Sequence, residues 1–204
     1  MRKILITLTT LSLLLFAKSD FDLALEAEEL FDYKRATKLY KKACDNRNAT
    51  GCLNLGILYE YEKGVEKNNS LAFDLYKKSC EAGNYQGCTN LGFMYESGKG
   101  VERNLFRAFE LYRDSCSAKD YKACFNMGNI YARGDVIKAK KSRASEMFKL
   151  ACDNNYSQGC INLGIIYING NGVEKSTSKA KELFQKACNN KSELGCKYYK
   201  MLDK

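Results

Sequence analysis

Ten cysteines fall into five pairs, Cys44/Cys52, Cys80/Cys88, Cys116/Cys124, Cys152/Cys160 and Cys188/Cys196, and successive pairs lie 36 residues apart. Within every pair the separation is eight positions, and no cysteine is left over. Spacing kept through five copies without an insertion requires one supersecondary unit repeated in tandem. An even cysteine count outside the reducing cytosol reads as a disulfide framework. Zinc ligation is the competing use, but zinc pairs sit about two to four residues apart, and the chain has no histidine. No metal centre and no cofactor are therefore expected.

The N-terminus points to the same compartment. Met1-Arg2-Lys3 precedes an apolar run from Ile4 to Phe16, and Ala17-Lys18-Ser19 follows. A short basic region, an apolar stretch and small residues at alternating positions read as a secretory signal peptide over residues 1–19. The run falls short of the about 20 residues that span a bilayer, and no later stretch is apolar enough to do so. The expected location is secreted or periplasmic. The formal charge is +9, and removal of Arg2, Lys3 and Lys18 with the leader lowers it by three. Such an excess is first of all a solvated surface, and it favours acidic partners such as envelope polymers or anionic lipid. No nucleic-acid-binding module is recognisable, so nucleic acid is not an expected partner.

Aligned on the 36-residue period, the chain shows two helical stripes per unit. Ala36, Leu39, Tyr40, Ala43 and Cys44 recur as Ala72 to Cys80, Ala108 to Cys116, Ala144 to Cys152 and Ala180 to Cys188. Offsets of 0, 3, 4, 7 and 8 form one face of an amphipathic helix, helix A. Cys52, Leu55, Gly56 and Tyr59 recur from Cys88, Cys124 and Cys160, and form one face of a second helix, helix B. The glycine costs about 1 kcal/mol of helix propensity against alanine, so its recurrence in a buried stripe predicts a close crossing with a neighbouring helix.

Short polar turns such as Asp45-Asn46-Arg47-Asn48 join A to B. Longer glycine-containing loops, such as Gly98-Lys99-Gly100-Val101-Glu102 and Gly170-Asn171-Gly172-Val173-Glu174, join B to the next A, with the valine expected to plug into the core. The third loop, Gly134-Asp135-Val136-Ile137-Lys138, has Val136 in place of the second glycine and should take another path.

Each hairpin has an apolar face too large to bury alone, and stacking covers it. The expected organisation is an N-terminal capping helix over 20–34, then five repeats over 35–204. In the last helix B, Tyr198 and Lys200 replace the asparagine and glycine, as suits a terminal cap. Sequence does not establish cysteine connectivity. Pairing within each repeat is the simplest arrangement, and each loop of about nine residues would contribute roughly 2.5 kcal/mol by chain entropy.

The Ala-x-x-Leu-Tyr helix, the Asn-Leu-Gly-x-x-Tyr helix and their period resemble Sel1-like repeats, relatives of the tetratricopeptide repeat. With a cysteine pair in every repeat behind a leader, the chain is similar to the Helicobacter cysteine-rich protein family over about residues 20–204. The resemblance implies an all-α, right-handed α/α solenoid with a concave groove. It also implies a scaffold for peptide or protein ligands, including host or envelope proteins. Members are described as penicillin-binding slow β-lactamases, which adds a β-lactam or peptidoglycan-like small molecule as an alternative ligand.

The residues themselves show no catalytic set. Without histidine, Ser-His-Asp and Cys-His arrangements are excluded. Serine β-lactamases use Ser-x-x-Lys with Ser-Asp-Asn and Lys-Thr-Gly. Ser176-x-x-Lys179 and Ser178-x-x-Lys181 match the first motif and neither partner motif is present. At a loop-to-helix start, serine is more often an N-cap.

Two rows suit binding better. Asn54, Asn90, Asn126 and Asn162 form an asparagine ladder beside the buried stripe of helix B. It serves either to tie neighbouring turns together or to hold an extended peptide backbone. Lys41, Lys77, Arg113 and Lys149 form a basic row on helix A, broken at Gln185. In the resembled repeats helix A lines the concave side, where such a row would favour acidic peptides or carboxylates. A solvated helix face is the plainer reading of the row, and core packing is the plainer reading of the recurrent tyrosines.

Overall fold

The computed structural model describes residues 18–134, 136 and 140–202. The expected signal peptide lies outside the described residues as far as Ala17, as does most of the third B-to-A loop. The described residues contain eleven helices and no strand. Helix α1 (Asp20–Glu29) precedes five hairpins. The A helices are α2 (Tyr33–Asp45), α4 (Asn69–Glu81), α6 (Leu105–Ser117), α8 (Lys141–Asp153) and α10 (Thr177–Asn189). The B helices are α3 (Ala49–Glu60), α5 (Tyr85–Ser97), α7 (Tyr121–Arg133), α9 (Ser157–Asn169) and α11 (Glu193–Leu202).

Every A helix stops on the same hydrogen-bonded turn. The Arg47 N–H donates to the Cys44 carbonyl and the Asn48 N–H to the Ala43 carbonyl, and the pattern recurs at Gly83/Asn84, Lys119/Asp120, Asn155/Tyr156 and Lys191/Ser192. This is the Schellman arrangement, which needs a left-handed residue after the helix. Arg47, Lys119, Asn155 and Lys191 have φ of 65°, 69°, 66° and 63°, and only Gly83 meets the requirement without a Cβ. The turn reverses the chain and brings the first cysteine of each pair under the second.

The B helices begin three residues before their cysteine, earlier than the apolar stripe suggests. The preceding residue explains this. A Cβ on Gly51 would lie 2.8 Å from Ala43 Cβ, and one on Gly159 would lie 2.8 Å from Ala151 Cβ. A glycine opposite a small residue lets helix B start in direct contact with helix A. The cysteines are then close enough to bond: Cα–Cα is 4.5 Å for Cys44–Cys52, 4.7 Å for Cys116–Cys124, 4.5 Å for Cys152–Cys160 and 4.4 Å for Cys188–Cys196. Cys80 and Cys88 are likewise disulfide-bonded, which makes one disulfide per repeat.

A-helix starts are capped by side chains. Asn68, Asn104 and Ser176 accept hydrogen bonds from the backbone N–H of Leu71, Arg107 and Lys179. Lys140 holds the equivalent position and makes no side-chain cap. Lys140→Asn is therefore expected to stabilise the chain by about 1 kcal/mol, read as a higher urea midpoint at unchanged slope. An unchanged midpoint would mean that solvent already satisfies the first turn of α8.

The chain divides into two compact units, one ending at Gly87 and the other beginning at Cys88, within α5. In the first, α1, α2, α3 and α4 pack in succession around Ala24, Ala36, Tyr40, Leu55, Leu58 and Leu75, with Val65 against the cluster. In the second, α6 through α11 pack in succession. Its clusters centre on Tyr112, Met127 and Ile130, on Phe148, Leu163 and Ile166, and on Ile161, Ala180 and Phe184. The recurrent glycine of helix B meets the aromatic ring of the following A helix. Gly56 lies under Tyr76, Gly92 under Tyr112, Gly128 under Phe148 and Gly164 under Phe184.

Candidate binding face

The buried tyrosines hold polar partners that the helical pattern does not disclose. The Tyr40 hydroxyl donates to Glu28 Oε2 at 2.6 Å, Tyr76 to Glu60 Oε2 at 2.7 Å, and Tyr112 to Glu96 Oε2 at 2.8 Å. All three rings are fully buried. Burial above all, and then the adjacent carboxylate, push the Tyr40 and Tyr112 hydroxyls far above the usual tyrosine range, so they remain donors. Arg133 bridges to the other oxygen of Glu96 at 2.5 Å.

Two rungs of the asparagine ladder lie beside these ties, Asn54 near the Tyr40 hydroxyl and Asn126 near the Tyr112 hydroxyl. Asn90 Oδ1 accepts from Lys122 Nζ at 3.1 Å, and Asn162 Nδ2 donates to Asn129 Oδ1 at 3.2 Å. All four amides are half-buried. Asn90 and Asn162 thus each bond a residue of a neighbouring helix B.

A signal for the tyrosine–glutamate ties exists within the sequence. Glu60 and Glu96 stand 16 residues before Tyr76 and Tyr112. At the same offset before Phe148 and Phe184 stand Ala132 and Ile168. Among these four rings the acid is present where the ring carries a hydroxyl and absent where it does not, while Tyr40 takes Glu28 from 12 residues away.

The basic row is exposed and mostly paired within its own helix. Lys77 faces Glu81 at 3.9 Å, Arg113 bonds Asp114 at 2.9 Å, and Lys149 bonds Asp153 at 2.5 Å. Lys41 is exposed on α2. These exposed pairs are worth little to stability.

In the second unit Lys149 borders a cleft of about 220 Å³. Its apolar part is formed by Leu163, Tyr167 and Val173, and its polar edge by Ser142, Ser145 and Glu146. One repeat earlier the matching positions are Phe106, Phe109, Glu110, Arg113 and Tyr131. There Phe109 packs edge-on to Tyr131 at 5.6 Å, and Phe106 is 60% exposed. In the first unit an open depression of about 500 Å³ lies beside Cys44 and Cys52, lined by Asp45, Arg47, Lys78 and Glu81.

Ser176 is used by the backbone. Its Oγ accepts the Lys179 N–H at 3.3 Å and lies 3.1 Å from Ser178 Oγ. The Lys179 ammonium sits 5.3 Å over the Tyr167 ring, and the Lys181 ammonium 5.6 Å over the Tyr199 ring. Among the described residues no group of three or more histidine, cysteine or acidic side chains forms a metal cluster, and no helix is long and apolar enough to cross a membrane.

Comparison with known proteins agrees with this architecture. HcpD of Helicobacter pylori strain J99, whose name carries a provisional β-lactamase label, is 44% identical over 50 residues, which is 24% of this chain and 16% of HcpD. HcpC of the same strain, named in the same way, is 51% identical over 37 residues, 18% of this chain and 13% of HcpC. The chain thus spans less than a fifth of either relative. Among solved structures, a Sel1 repeat protein from Oxalobacter formigenes superposes with a TM-score of 0.81 at 23% identity, covering 88% of this chain and 73% of that one. The protective antigen c5321 of uropathogenic Escherichia coli superposes with a TM-score of 0.76 at 22% identity, covering 86% of this chain and 38% of that one. The Sel1 repeat itself matches at residues 28–48, 49–84, 86–120, 122–156 and 157–192. Its five consecutive matches account for most of the chain, which belongs to the Sel1 repeat family.

Proposed function

We propose that the chain is an exported scaffold that holds a segment of peptide or protein on the exposed face of its A helices. The observation that carries this is the cleft beside Lys149. Its apolar part, Leu163, Tyr167 and Val173, takes a side chain, and its edge offers Lys149 and Ser142 to polar groups of a ligand. Aromatic groups at the matching positions one repeat earlier, Phe106 and Phe109, give the face an apolar continuation. Exposed apolar area beside exposed charge is the usual composition of a peptide-binding surface. Five disulfide-bonded repeats favour an oxidising compartment, in the periplasm or beyond the cell.

The asparagine ladder enters this reading as support for the face, since Asn90 and Asn162 are spent on Lys122 and Asn129. The hydrolase reading would need a serine with a base beside it, whereas Ser176 caps α10 and Lys179 lies on Tyr167.

Panning an unbiased peptide display library against the oxidised chain tests the assignment. Selected peptides are expected to lose at least tenfold in affinity on Lys149→Glu and Arg113→Glu, with helicity and urea midpoint unchanged. Peptides insensitive to both substitutions would exclude this face. Hydrolysis of a chromogenic cephalosporin that disappears in Ser176→Ala/Ser178→Ala would replace the scaffold reading with an enzyme.

A further inference from the structure

Four asparagines stand in the pattern Asn-x-Ser/Thr: Asn48-Ala49-Thr50, Asn68-Asn69-Ser70, Asn155-Tyr156-Ser157 and Asn190-Lys191-Ser192. In an exported chain this is the acceptor pattern for N-linked glycosylation. Bacterial oligosaccharyltransferases ask in addition for an acidic residue two positions before the asparagine. Glu66 meets that condition for Asn68, and Asp153 meets it for Asn155. Asn48 follows Asn46 and Asn190 follows Cys188, so neither of these qualifies.

The structure separates the two that remain. Asn68 is the N-cap of α4, and its Oδ1 accepts the Leu71 N–H at 2.9 Å. Asn155 lies at the reversal between α8 and α9, left-handed at φ 66° and exposed. Its side-chain amide has no hydrogen bond among the described residues; only its backbone carbonyl is used, by Asn190 Nδ2 at 3.5 Å. A glycan on Asn155 Nδ2 would displace nothing.

The turn is also weakly held. Asn48 and Asp120 cap α3 and α7 with their side chains, whereas Tyr156, at the same position before α9, makes no side-chain cap. A missing cap is worth about 1 kcal/mol of helix-end stability, so Ser157, the first residue of α9, is released at less cost than its counterparts. Asp153 is exposed at the end of α8. Acid, acceptor and hydroxyl thus fall on one solvent-facing reversal, bracketed by Cys152 and Cys160.

We infer that Asn155 is an N-glycan acceptor, modified as the chain is exported and before Cys152–Cys160 closes the ring around it. The inference rests on the reading of the chain as exported. The donor is a polyprenyl-pyrophosphate-linked oligosaccharide. Asn155 Nδ2 attacks C1 of its first sugar, and the bond from C1 to the pyrophosphate oxygen breaks. The polyprenyl pyrophosphate leaves with that electron pair, and the amide gives one proton to a base of the transferase. The completed turn then carries the glycan into solvent.

The test is expression of the full chain in a bacterium that supplies such a transferase and its donor, with intact-mass and peptide analysis of the periplasmic fraction. One glycan mass on Asn155 is expected. It should be lost in Asn155→Gln and Ser157→Ala, and occupancy should fall at least tenfold in Asp153→Asn, with all five disulfides formed in each variant. An exported chain bare at Asn155, in cells that fully modify a control acceptor, would overturn the inference, as would modification confined to Asn68. A chain that never reaches the periplasm would instead overturn the exported-scaffold reading. The purified reduced chain, incubated with transferase and donor, then decides the acceptor question by the same mass change.

Discussion

Reduction of the disulfides is expected to lower the stability of the chain more than any single substitution. Each bond joins residues eight apart across the same turn. Closing a loop of about nine residues removes roughly 2.5 kcal/mol of chain entropy from the unfolded state. Five such loops approach the whole stability of an ordinary domain, about 5–15 kcal/mol. The effect is amplified by architecture, because a repeat packs only on its neighbours and has no distant core to fall back on. Urea titration followed by far-UV circular dichroism, with and without reductant, measures it. The reduced chain should lose helicity at a much lower midpoint, and Cys152→Ser/Cys160→Ser should lose about 2.5 kcal/mol alone. A reduced chain with the midpoint of the oxidised one would mean that helix packing is sufficient.

The second large effect is expected at Gly128. A Cβ there would lie 2.8 and 2.9 Å from Phe148 Cε1 and Cδ1 and 3.3 Å from Met147 Cβ. Alanine gains about 1 kcal/mol of helix propensity over glycine, yet the ring leaves it no room. Gly128→Ala should therefore destabilise by about 1–2 kcal/mol, and Gly128→Leu by about 3 kcal/mol or more, through displacement of α8 from α7. Phe148→Ala opens the space that the leucine needs. The double variant should be less destabilised than the sum of the two single ones, by about 1 kcal/mol or more. Lys200 occupies the same repeat position in α11 and is exposed, so Lys200→Ala should stay within about 0.5 kcal/mol of the parent. Strict additivity at Gly128 and Phe148 would mean that the two do not share one packing site.

Much of this protein is local and periodic, and that part was legible in the residues alone. A hairpin is specified by contacts within one repeat, and the stripes Ala36 to Cys44 and Cys52 to Tyr59 each describe a face that must be covered. Copying that unit five times leaves one class of solution, the Sel1 stack. Ser176 as an N-cap was equally readable, since a cap acts on the backbone three residues away. The recurrent glycine announced a close crossing, but only the packing shows that the occupant is the aromatic ring of the next helix A.

What depended on tertiary structure involves groups far apart in the chain or choices among local partners. Glu60 meets Tyr76, and Glu96 meets Tyr112, only after the B-to-A loop folds back. The basic row of helix A reads as a positive stripe in the sequence, but rotamers in the folded helices turn Lys77, Arg113 and Lys149 onto Glu81, Asp114 and Asp153. The partners of the asparagine ladder were equally hidden, since Asn90 meets Lys122 and Asn162 meets Asn129 only when neighbouring B helices pack. Periodicity determines which surfaces face inward. Which polar atoms meet there, and which remain for a ligand, is decided by distances that exist only once neighbouring helices are packed.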